Sequence, residues 1–484
     1  MRNKRRLLHP ATGYFLLAVA VVLFSWVADI YELTHALPAT GEEIRIRSVL
    51  SAEGMRWLLR HVVTNFTGFA PVGMAVMVLF GLGIAEHSGL LQAFVRRFLR
   101  GRYAQKIILL SVIVLGILSN VVGDAGYVLL VPLSAFLFRA IGSHPVAGIV
   151  IAYVSVACGY SANVFIGTMD PLLARITCDA IVASGLHSGP VGALSNSLFM
   201  GISAIWLALL MYLAGRRFMH SLGPYESVAD DPIVLNSLSR KERRAFSLAL
   251  WVGFFHLVLI VLATFSPWGI LRGITGGMTR SPFIVGALFL MSLGMGLMGA
   301  VYGFASGTYR TDSDVVRGLS HHFPLMGSFF VLAFFASQLL ACFSYSQLDR
   351  WLAVQGAGWL SGISVGPVLQ LLFFIGFTAF VNLFMVSSTA KWSLLSFLFV
   401  PLFATMGVSP EWVQCAYRIG DSTSNATTPF MFYVPFVLAC LLRYVPDCGF
   451  SDLFRYTWRF TWVIGVGWTV LFLVWYALGW PLGW

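Results

Sequence analysis

Residues 159–171 read GYSANVFIGTMDP, a polar stretch that ends in proline and interrupts a long apolar run. A second stretch, RIGDSTSNATTP at residues 418–429, contains a similar mixture of Gly, Ser, Asn, Thr, Asp and Pro. Backbone that leaves a helix at bilayer depth is tolerated only where protein buries it or where it lines a cavity. Two such breaks at corresponding places in two halves of a chain indicate a transporter binding site. We therefore expect a membrane transporter whose site is built from both breaks.

The composition also predicts a membrane protein. The chain is 58% hydrophobic and 11% charged, whereas about 25% of the residues of an ordinary soluble domain are charged. The net charge is +11, but the basic residues lie in short clusters between apolar runs, which favours membrane orientation over a nucleic-acid partner. The six cysteines form no CxxC pair and no metal-ligand spacing. We interpret them as packing residues and expect no cofactor and no structural zinc.

Nine apolar windows are long enough, at about 17–25 residues each, to cross a bilayer as helices. They lie near residues 11–30, 66–85, 146–172, 196–214, 246–266, 282–304, 323–343, 416–440 and 460–480. Two further apolar stretches, 106–142 and 362–406, are too long for one crossing and are interrupted by polar residues, so we interpret them as re-entrant hairpins. The predicted fold class is an all-α polytopic membrane protein with nine transmembrane helices and two opposed re-entrant hairpins in an inverted repeat.

The loops predict the orientation and the division of the chain. Most Lys and Arg residues fall on the side of the amino terminus, so the positive-inside rule places that terminus in the cytoplasm. We predict one transmembrane domain over residues 1–484, with inverted repeats at about 66–214 and 323–480. A cytoplasmic loop at 215–245 would link the halves, and the spans within 246–304 would serve as scaffold or dimer contacts.

Five ionisable residues lie in the predicted membrane segments near the breaks and hairpin tips: Asp124, Asp170, Lys391, Arg418 and Asp421. A charge at the centre of a spanning helix costs about 2.5–3.5 kcal/mol on insertion scales, so each is a functional candidate. Local explanations stay open. Arg418 and Asp421, at i and i+3, would neutralise each other on one helix face, Asp170 would cap a half-helix that resumes beside it, and Lys391 would snorkel or pair.

The breaks and hairpin tips also contain oxygen donors that suit a cation such as Na⁺. The candidate ion ligands are Asn120, Asp124, Ser161, Asn163, Ser387, Ser424 and Asn425. Each of these taken alone is explained equally well as a turn residue or a small-residue helix contact. Taken together they predict Na⁺ or H⁺ as a coupling ion.

An enzyme is the alternative from another functional class. Asp124 and Asp421 each follow a glycine in an apolar segment, as in an intramembrane aspartyl protease whose two carboxylates would share a proton. That chemistry does not require Ser- and Asn-rich breaks or paired hairpins, so we predict that the chain is not an enzyme. Close approach of the two carboxylates would favour the protease, and separate surroundings would exclude it.

With these residues in view, the chain resembles the AbgT family of p-aminobenzoyl-glutamate transporters over nearly its whole length. The matching stretches are VGDAGY at 122–127, the first break at 159–171, AKW at 390–392 and YRIGDS at 417–422, supported by NFTGFAP at 65–71 and GLGIAE at 81–86. The resemblance implies nine spans and two opposed hairpins per protomer, in a bowl-shaped homodimer. It also implies a location in the bacterial cytoplasmic (inner) membrane.

The resemblance further implies a substrate pathway and a substrate class. The pathway positions are Asp170, Asn382, Trp392, Pro410, Arg418 and Asp421. Members of the family are associated with import of p-aminobenzoyl-glutamate or export of sulfonamide antimetabolites, driven by Na⁺ or protons. Such a substrate, with an aromatic ring and a carboxylate tail, suits an aromatic wall and a cation such as Arg418. Trp392 either packs in the core or stacks on that ring. The alternative transporter is a Na⁺-coupled dicarboxylate or citrate symporter, against which Trp392 and the family motifs argue.

Overall fold

The structure is a computed structural model of the chain. It describes residues 8–36, 43–98, 103–186, 189, 191–225, 237–266, 268–273, 281–363 and 365–484. The amino-terminal basic cluster at 1–7, which contributes to the predicted cytoplasmic orientation, lies outside these ranges, as do residues 226–236 of the predicted linking loop.

The first half of the chain begins with an apolar helix and a small strand pair. Its elements are α1 Pro10–Ile30, β1 Thr34–Ala36, β2 Glu43–Arg45, α2 Ala52–Thr67, α3 Ala70–His87, α4 Leu90–Phe98, α5 Ala104–Ser119, α6 Ala125–Ala140, α7 Pro145–Cys158, α8 Met169–Ala183 and α9 Ser197–Leu222. A short 3₁₀ turn, Asn120–Val122, joins α5 to α6. Gly123 follows this turn at φ +73°, a backbone conformation that glycine adopts without strain.

Among the described residues after α9, the named elements are all helices. Its elements are α10 Arg240–Phe265, α11 Pro282–Ser306, α12 Asp312–Leu319, α13 Phe323–Tyr345, α14 Leu348–Ser361, α15 Pro367–Val381, α16 Ser388–Thr405, α17 Pro410–Thr423, α18 Val434–Leu442 and α19 Phe450–Ala477. The series α13 to α19 repeats the order of α3 to α9. Each series contains a long helix, a short helix, two helices joined by a turn, a helix interrupted by a break, and a second long helix.

Seven helical stretches among the described residues are long and apolar enough to cross a membrane. They are Pro10–Ile30, Ala52–His87, Ser197–Leu222, Arg240–Phe265, Pro282–Ser306, Asp312–Tyr345 and Phe450–Ala477. A largely helical membrane protein is therefore confirmed. The other two predicted windows, 146–172 and 416–440, contain the breaks and are divided into shorter helices. The count of nine crossings, the re-entrant course of the hairpins and the inverted relation of the halves stay predictions.

The two helices that lead into the breaks lie at the centre of the molecule. Every residue of α7 is buried, and so are residues 413–423 of α17. Each helix has proline in its first turn, where the missing N–H is no loss. Protein therefore surrounds both helices up to the breaks, whereas Val164, Phe165 and Ile166 within the first break have exposed side chains.

Helix α11 packs closely on α3 through small residues. The Gly81 N–H donates to Ser292 Oγ at 3.2 Å, and the same hydroxyl donates to the Met77 carbonyl at 2.5 Å. A Cβ on Gly299 would lie 2.8 Å from the Ala85 backbone, so only glycine permits this approach. Contacts between small residues of this kind stabilise helix pairs in membranes.

The sequence analysis missed several peripheral elements. Strands β1 and β2 pair antiparallel, with His35 opposite Ile44, so the all-α prediction omits one small hairpin. The short helices α4, α12 and α14 and the exposed helix α2 were also not predicted. The sequence pattern that could have predicted these helices is a helical spacing of apolar residues among charged ones. In α4, for example, Arg96 lies on the charged face, and its Nη2 is 2.5 Å from Glu242 Oε1 of α10.

Candidate functional site

Helix α17 supplies two of the predicted charges, and each pairs with another helix. Arg418 Nη2 lies 2.6 Å from Asp170 Oδ1 of α8, and Asp421 Oδ1 lies 2.7 Å from Lys391 Nζ of α16. The interpretation that Arg418 and Asp421 merely neutralise each other along one helix face is therefore wrong. Two separate ion pairs instead join α17 to elements of both halves of the chain.

The first ion pair connects α17 with the first break. Arg418 Nη2 also donates to the Ser161 carbonyl at 3.0 Å. Asp170 Oδ2 accepts from the Gly167 N–H at 2.6 Å and from Asn163 Nδ2 at 3.3 Å. Asp170 therefore accepts a hydrogen bond from the backbone N–H of Gly167 in the break before α8, as a helix cap would. The same carboxylate also pairs with the Arg418 guanidinium.

The second ion pair connects α17 with the turn between α15 and α16. Lys391 Nζ donates to Asn382 Oδ1 at 2.5 Å and to the Met385 carbonyl at 3.0 Å. The Tyr417 hydroxyl lies 3.4 Å from Asp421 Oδ1 and donates to the Ser388 carbonyl at 2.5 Å. Lys391 is completely buried, so it pairs rather than snorkels.

The second break is tied to the second hairpin through Asn382. Asn382 Nδ2 donates to Ser424 Oγ at 3.0 Å and to Asn425 Oδ1 at 2.8 Å. Asn425 Nδ2 in turn donates to the Ala157 carbonyl of α7 at 3.2 Å. One chain of side-chain amides thus runs from the hairpin turn through the second break to the first broken helix.

The two breaks also contact each other directly. The Ser161 N–H donates to Ser422 Oγ at 3.2 Å, and the Cys158 thiol donates to the Thr423 carbonyl at 3.4 Å. Stretches far apart in the sequence therefore meet at one place in the fold. The predicted residues of the two breaks therefore lie in one polar cluster, and its role as a transport site stays a prediction.

Trp392 lies in the core beside this site, where its ring packs at a tilt against Tyr417. Its ring centroid is 4.4 Å from that of Tyr417, and its Nε1 donates to Thr177 Oγ1 at 2.9 Å. Thr177 donates to Gln414 Oε1 at 2.6 Å, and Gln414 Nε2 donates to Asn196 Oδ1 at 3.2 Å. Sequence reasoning missed Thr177, Gln414 and Asn196, since nothing in their local sequence sets them apart.

The remaining predicted residues lie at the margins of the cluster. Pro410 is the first residue of α17, and Ser387 is the exposed N-cap of α16. Asn120 Nδ2 donates to the Val156 carbonyl at 3.1 Å. Asp124 accepts from the Tyr433 hydroxyl at 3.1 Å. Asp124 and Asp421 thus bind different partners, whereas the protease alternative requires their carboxylates to bond to each other.

Three predicted residues retain a buried side-chain oxygen without a hydrogen-bond partner in the part of the chain that the structure describes. They are Asn120 Oδ1, Asn163 Oδ1 and Asp421 Oδ2. A buried acceptor without a partner is costly and calls for an ordered water, an ion or a functional role. Amide and carboxylate oxygens are also ligands that suit hard cations. These atoms are therefore the positions where the site has capacity for a cation.

The charged residues are covered by protein in this arrangement. Arg418 is 2% exposed and Asp421 is 1% exposed, while Trp392 and Asn382 are completely buried. A groove of about 530 Å³ between α15 and α19 reaches Ser424 at the edge of the cluster. A ligand would therefore reach Arg418 or Trp392 only after the helices around them had moved apart.

Comparison with known proteins provides a family assignment. The sequence model of the AbgT putative transporter family matches residues 2–484. The p-aminobenzoyl-glutamate transport protein of Escherichia coli K12 is 30% identical over 488 residues, which cover 98% of this chain and 93% of that protein. Among solved structures, the YdaH transporter of Alcanivorax borkumensis is 35% identical with a TM-score of 0.53, covering 98% of this chain and 100% of that one. MtrF of Neisseria gonorrhoeae, described as one of a class of antimetabolite efflux pumps, is 33% identical with a TM-score of 0.51, covering 97% and 96%.

Proposed function

The chain belongs to the AbgT transporter family, and from that premise we propose that it is a secondary active transporter of p-aminobenzoyl-glutamate-like folate catabolites, sulfonamide-type antimetabolites, or both. Transport is coupled to Na⁺ or H⁺ by an elevator-type or rocking movement. The protein acts as a homodimer in the bacterial inner membrane, with its amino terminus in the cytoplasm. The family and its relatives are transporters, so the protein is not an enzyme.

The observation that carries this proposal is the contact of Arg418 with both Asp170 and the first break. A guanidinium binds a carboxylate through two parallel hydrogen bonds. A substrate carboxylate therefore competes with Asp170 for Arg418. Its arrival releases Asp170, and the break that Asp170 holds through the Gly167 N–H is then free to move.

The second ion pair gives a route for coupling. Asp421 holds Lys391, and Lys391 holds Asn382 at the turn of the second hairpin. A proton or a Na⁺ ion on the unpartnered oxygen of Asp421 weakens its attraction for Lys391. Asn382 also binds Ser424 and Asn425 of the second break. An ion at Asp421 therefore changes the contact of Lys391 with Asn382 and, through Asn382, the contacts with the second break.

The aromatic part of the substrate is assigned to Trp392 and Tyr417. Their rings already pack at a centroid distance of 4.4 Å, tilted by 31°, so a substrate ring has to replace one ring of that pair. Offset aromatic pairs contribute about 0.5–1.5 kcal/mol beyond their buried area. The exchange of one aromatic partner for another is therefore nearly balanced in energy, which suits a site that must also release its substrate.

The test is transport by the purified full-length chain in proteoliposomes. Labelled p-aminobenzoyl-glutamate is supplied on either side of the membrane, with an imposed Na⁺ gradient, an imposed pH gradient or neither. We expect saturable movement that one gradient accelerates and that a sulfonamide inhibits. Failure of both gradients to drive this substrate would contradict the proposal, and uptake of citrate or a dicarboxylate under a Na⁺ gradient would favour the symporter alternative.

A further inference from the structure

A cluster of three metal-binding side chains lies away from the proposed transport site. Glu86 is in the last turn of α3, and His321 and His322 lie in the turn between α12 and α13. Glu86 Oε2 is 3.2 Å from His322 Nε2, and Glu86 Oε1 is 3.7 Å from His321 Nε2. One ligand atom of each residue lies within 4.8 Å of the other two.

His322 is the second observation that points to a ligand. Its side chain is 3% exposed, and neither ring nitrogen has a hydrogen-bond partner among the described residues. Nε2 nevertheless faces Glu86 at 3.2 Å. Buried polar groups are nearly always satisfied, so an imidazole whose Nδ1 has no partner and whose Nε2 has only the contact with Glu86 calls for a water, an ion or a functional role.

The distances fit a tetrahedral metal ion. Zinc binds imidazole nitrogen and carboxylate oxygen at about 2.0–2.2 Å, so neighbouring ligands in a tetrahedron lie roughly 3.3–3.5 Å apart. The contacts of the two imidazoles with Glu86, at 3.2 and 3.7 Å, lie close to this separation, each to a different carboxylate oxygen. Two imidazoles with one carboxylate suit zinc and similar transition metals, whereas Mg²⁺ and Ca²⁺ prefer oxygen ligands alone.

We propose that Glu86, His321 and His322 bind one divalent transition-metal ion such as Zn²⁺. Cysteine spacing gave no reason to expect structural zinc, but this set contains no cysteine. Three described residues supply the ligands, which leaves the fourth position for water or an exogenous group.

The bound ion would fasten α3 to the α12–α13 turn. These elements already approach closely, because a Cβ on Gly83 would lie 2.5 Å from the Gly318 carbonyl. The Tyr309 hydroxyl also donates to the Ile84 carbonyl at 3.3 Å. The ligands therefore come from a packed junction between the two series of helices, where a metal ion can act as a cross-link.

The test uses the purified full-length chain in detergent without a polyhistidine tag. Zn²⁺ binding is measured by isothermal titration calorimetry and by competition with a chromophoric chelator, and Co²⁺ replaces Zn²⁺ for visible absorption. We expect one ion per chain and Co²⁺ bands typical of tetrahedral nitrogen and oxygen ligands. Changes to outer-shell groups weaken metal sites about 10–100-fold, so loss of a direct ligand in His322→Gln or Glu86→Gln should weaken binding by about 100-fold or more.

His61→Gln is the matched control, because His61 is exposed and its Nδ1 bonds only to its own helix at the Trp57 carbonyl. This variant should bind Zn²⁺ as the unmodified chain does. If His322→Gln does not fold, His321→Gln and Glu86→Gln provide the same comparison. The proposal is overturned if the unmodified chain shows no saturable site, or if the ligand variants bind Zn²⁺ as well as His61→Gln. Neither result depends on the identity of the transported substrate.

Discussion

Arg418→Met removes one partner of a buried ion pair and leaves Asp170 behind. At the observed 2.6 Å between nitrogen and oxygen, the attraction amounts to about 6 kcal/mol at an effective dielectric constant of about 20. Much of this gain offsets the desolvation of both charges, so the net contribution of the pair is small. The uncompensated buried charge is costly, and removal of one partner destabilises a protein by about 3–5 kcal/mol. We expect the lower end of this range, because Asp170 retains the donors of Gly167 and Asn163.

The double variant Asp170→Asn/Arg418→Met tests this explanation directly. It removes both charges, so it should recover most of the lost stability while remaining unable to bind a substrate carboxylate. The assay is reversible unfolding in mixed micelles, combined with transport in proteoliposomes. Arg45→Met is the control, because Arg45 is 60% exposed and lies 3.8 Å from Asp29, a surface pair worth less than about 1 kcal/mol.

Two results would refute the reasoning about Arg418. One is a cost for Arg418→Met as small as that of Arg45→Met. The other is a double variant that is no more stable than the single variant. A double variant that folds and still transports at the normal rate would leave the ion-pair energetics intact and reject Arg418 as the substrate cation.

Three further variants test the packing and coupling around α17. Asp421→Asn removes the charge that holds the second ion pair, so a Na⁺ or pH gradient should no longer accelerate transport, while exchange of substrate without a gradient continues. Equal acceleration in the variant and the unmodified protein would contradict the coupling role. Trp392→Phe should lower the free energy of unfolding by about 1 kcal/mol, because the hydrogen bond to Thr177 is lost. Trp392→Tyr should not restore this stability. Gly420→Ala should cost about 1–3 kcal/mol and reduce transport, because its Cβ would lie 2.5 Å from the Ile375 carbonyl of α15; a normal melting temperature would show that α15 moves aside freely.

The sequence predicted the features that depend on local composition. Runs of apolar residues identify the long helices, because a helix that faces lipid must be apolar over its length. The polar breaks were recognisable at residues 159–171 and 418–429 for the same reason, since polar residues there contradict their surroundings. The charges Asp170, Arg418 and Asp421 were singled out because insertion of a charge into a bilayer is costly wherever it lies in the fold.

The peripheral helices and the polar partners of the site were not predicted. The short helix α4 is amphipathic, but its nine residues are too few to cross a bilayer, so a search for apolar runs of membrane length does not find it. Thr177, Gln414 and Asn196 are ordinary polar residues in their segments, and only the fold brings them into one hydrogen-bond chain with Trp392. The Glu86 cluster was missed because its two histidines are distant from Glu86 in sequence.

The sequence by itself thus determined the membrane class, the positions of the breaks and the set of charges, because each follows from the cost of polar groups in lipid. Only the tertiary structure decided which charge pairs with which. Arg418 and Asp421 are three residues apart and have opposite charge, yet each binds a residue on another helix. The physical reason is burial. At the centre of the protein each charge needs a partner, and the packing of the helices decides which group lies within reach, so the local sequence does not predict the pairing.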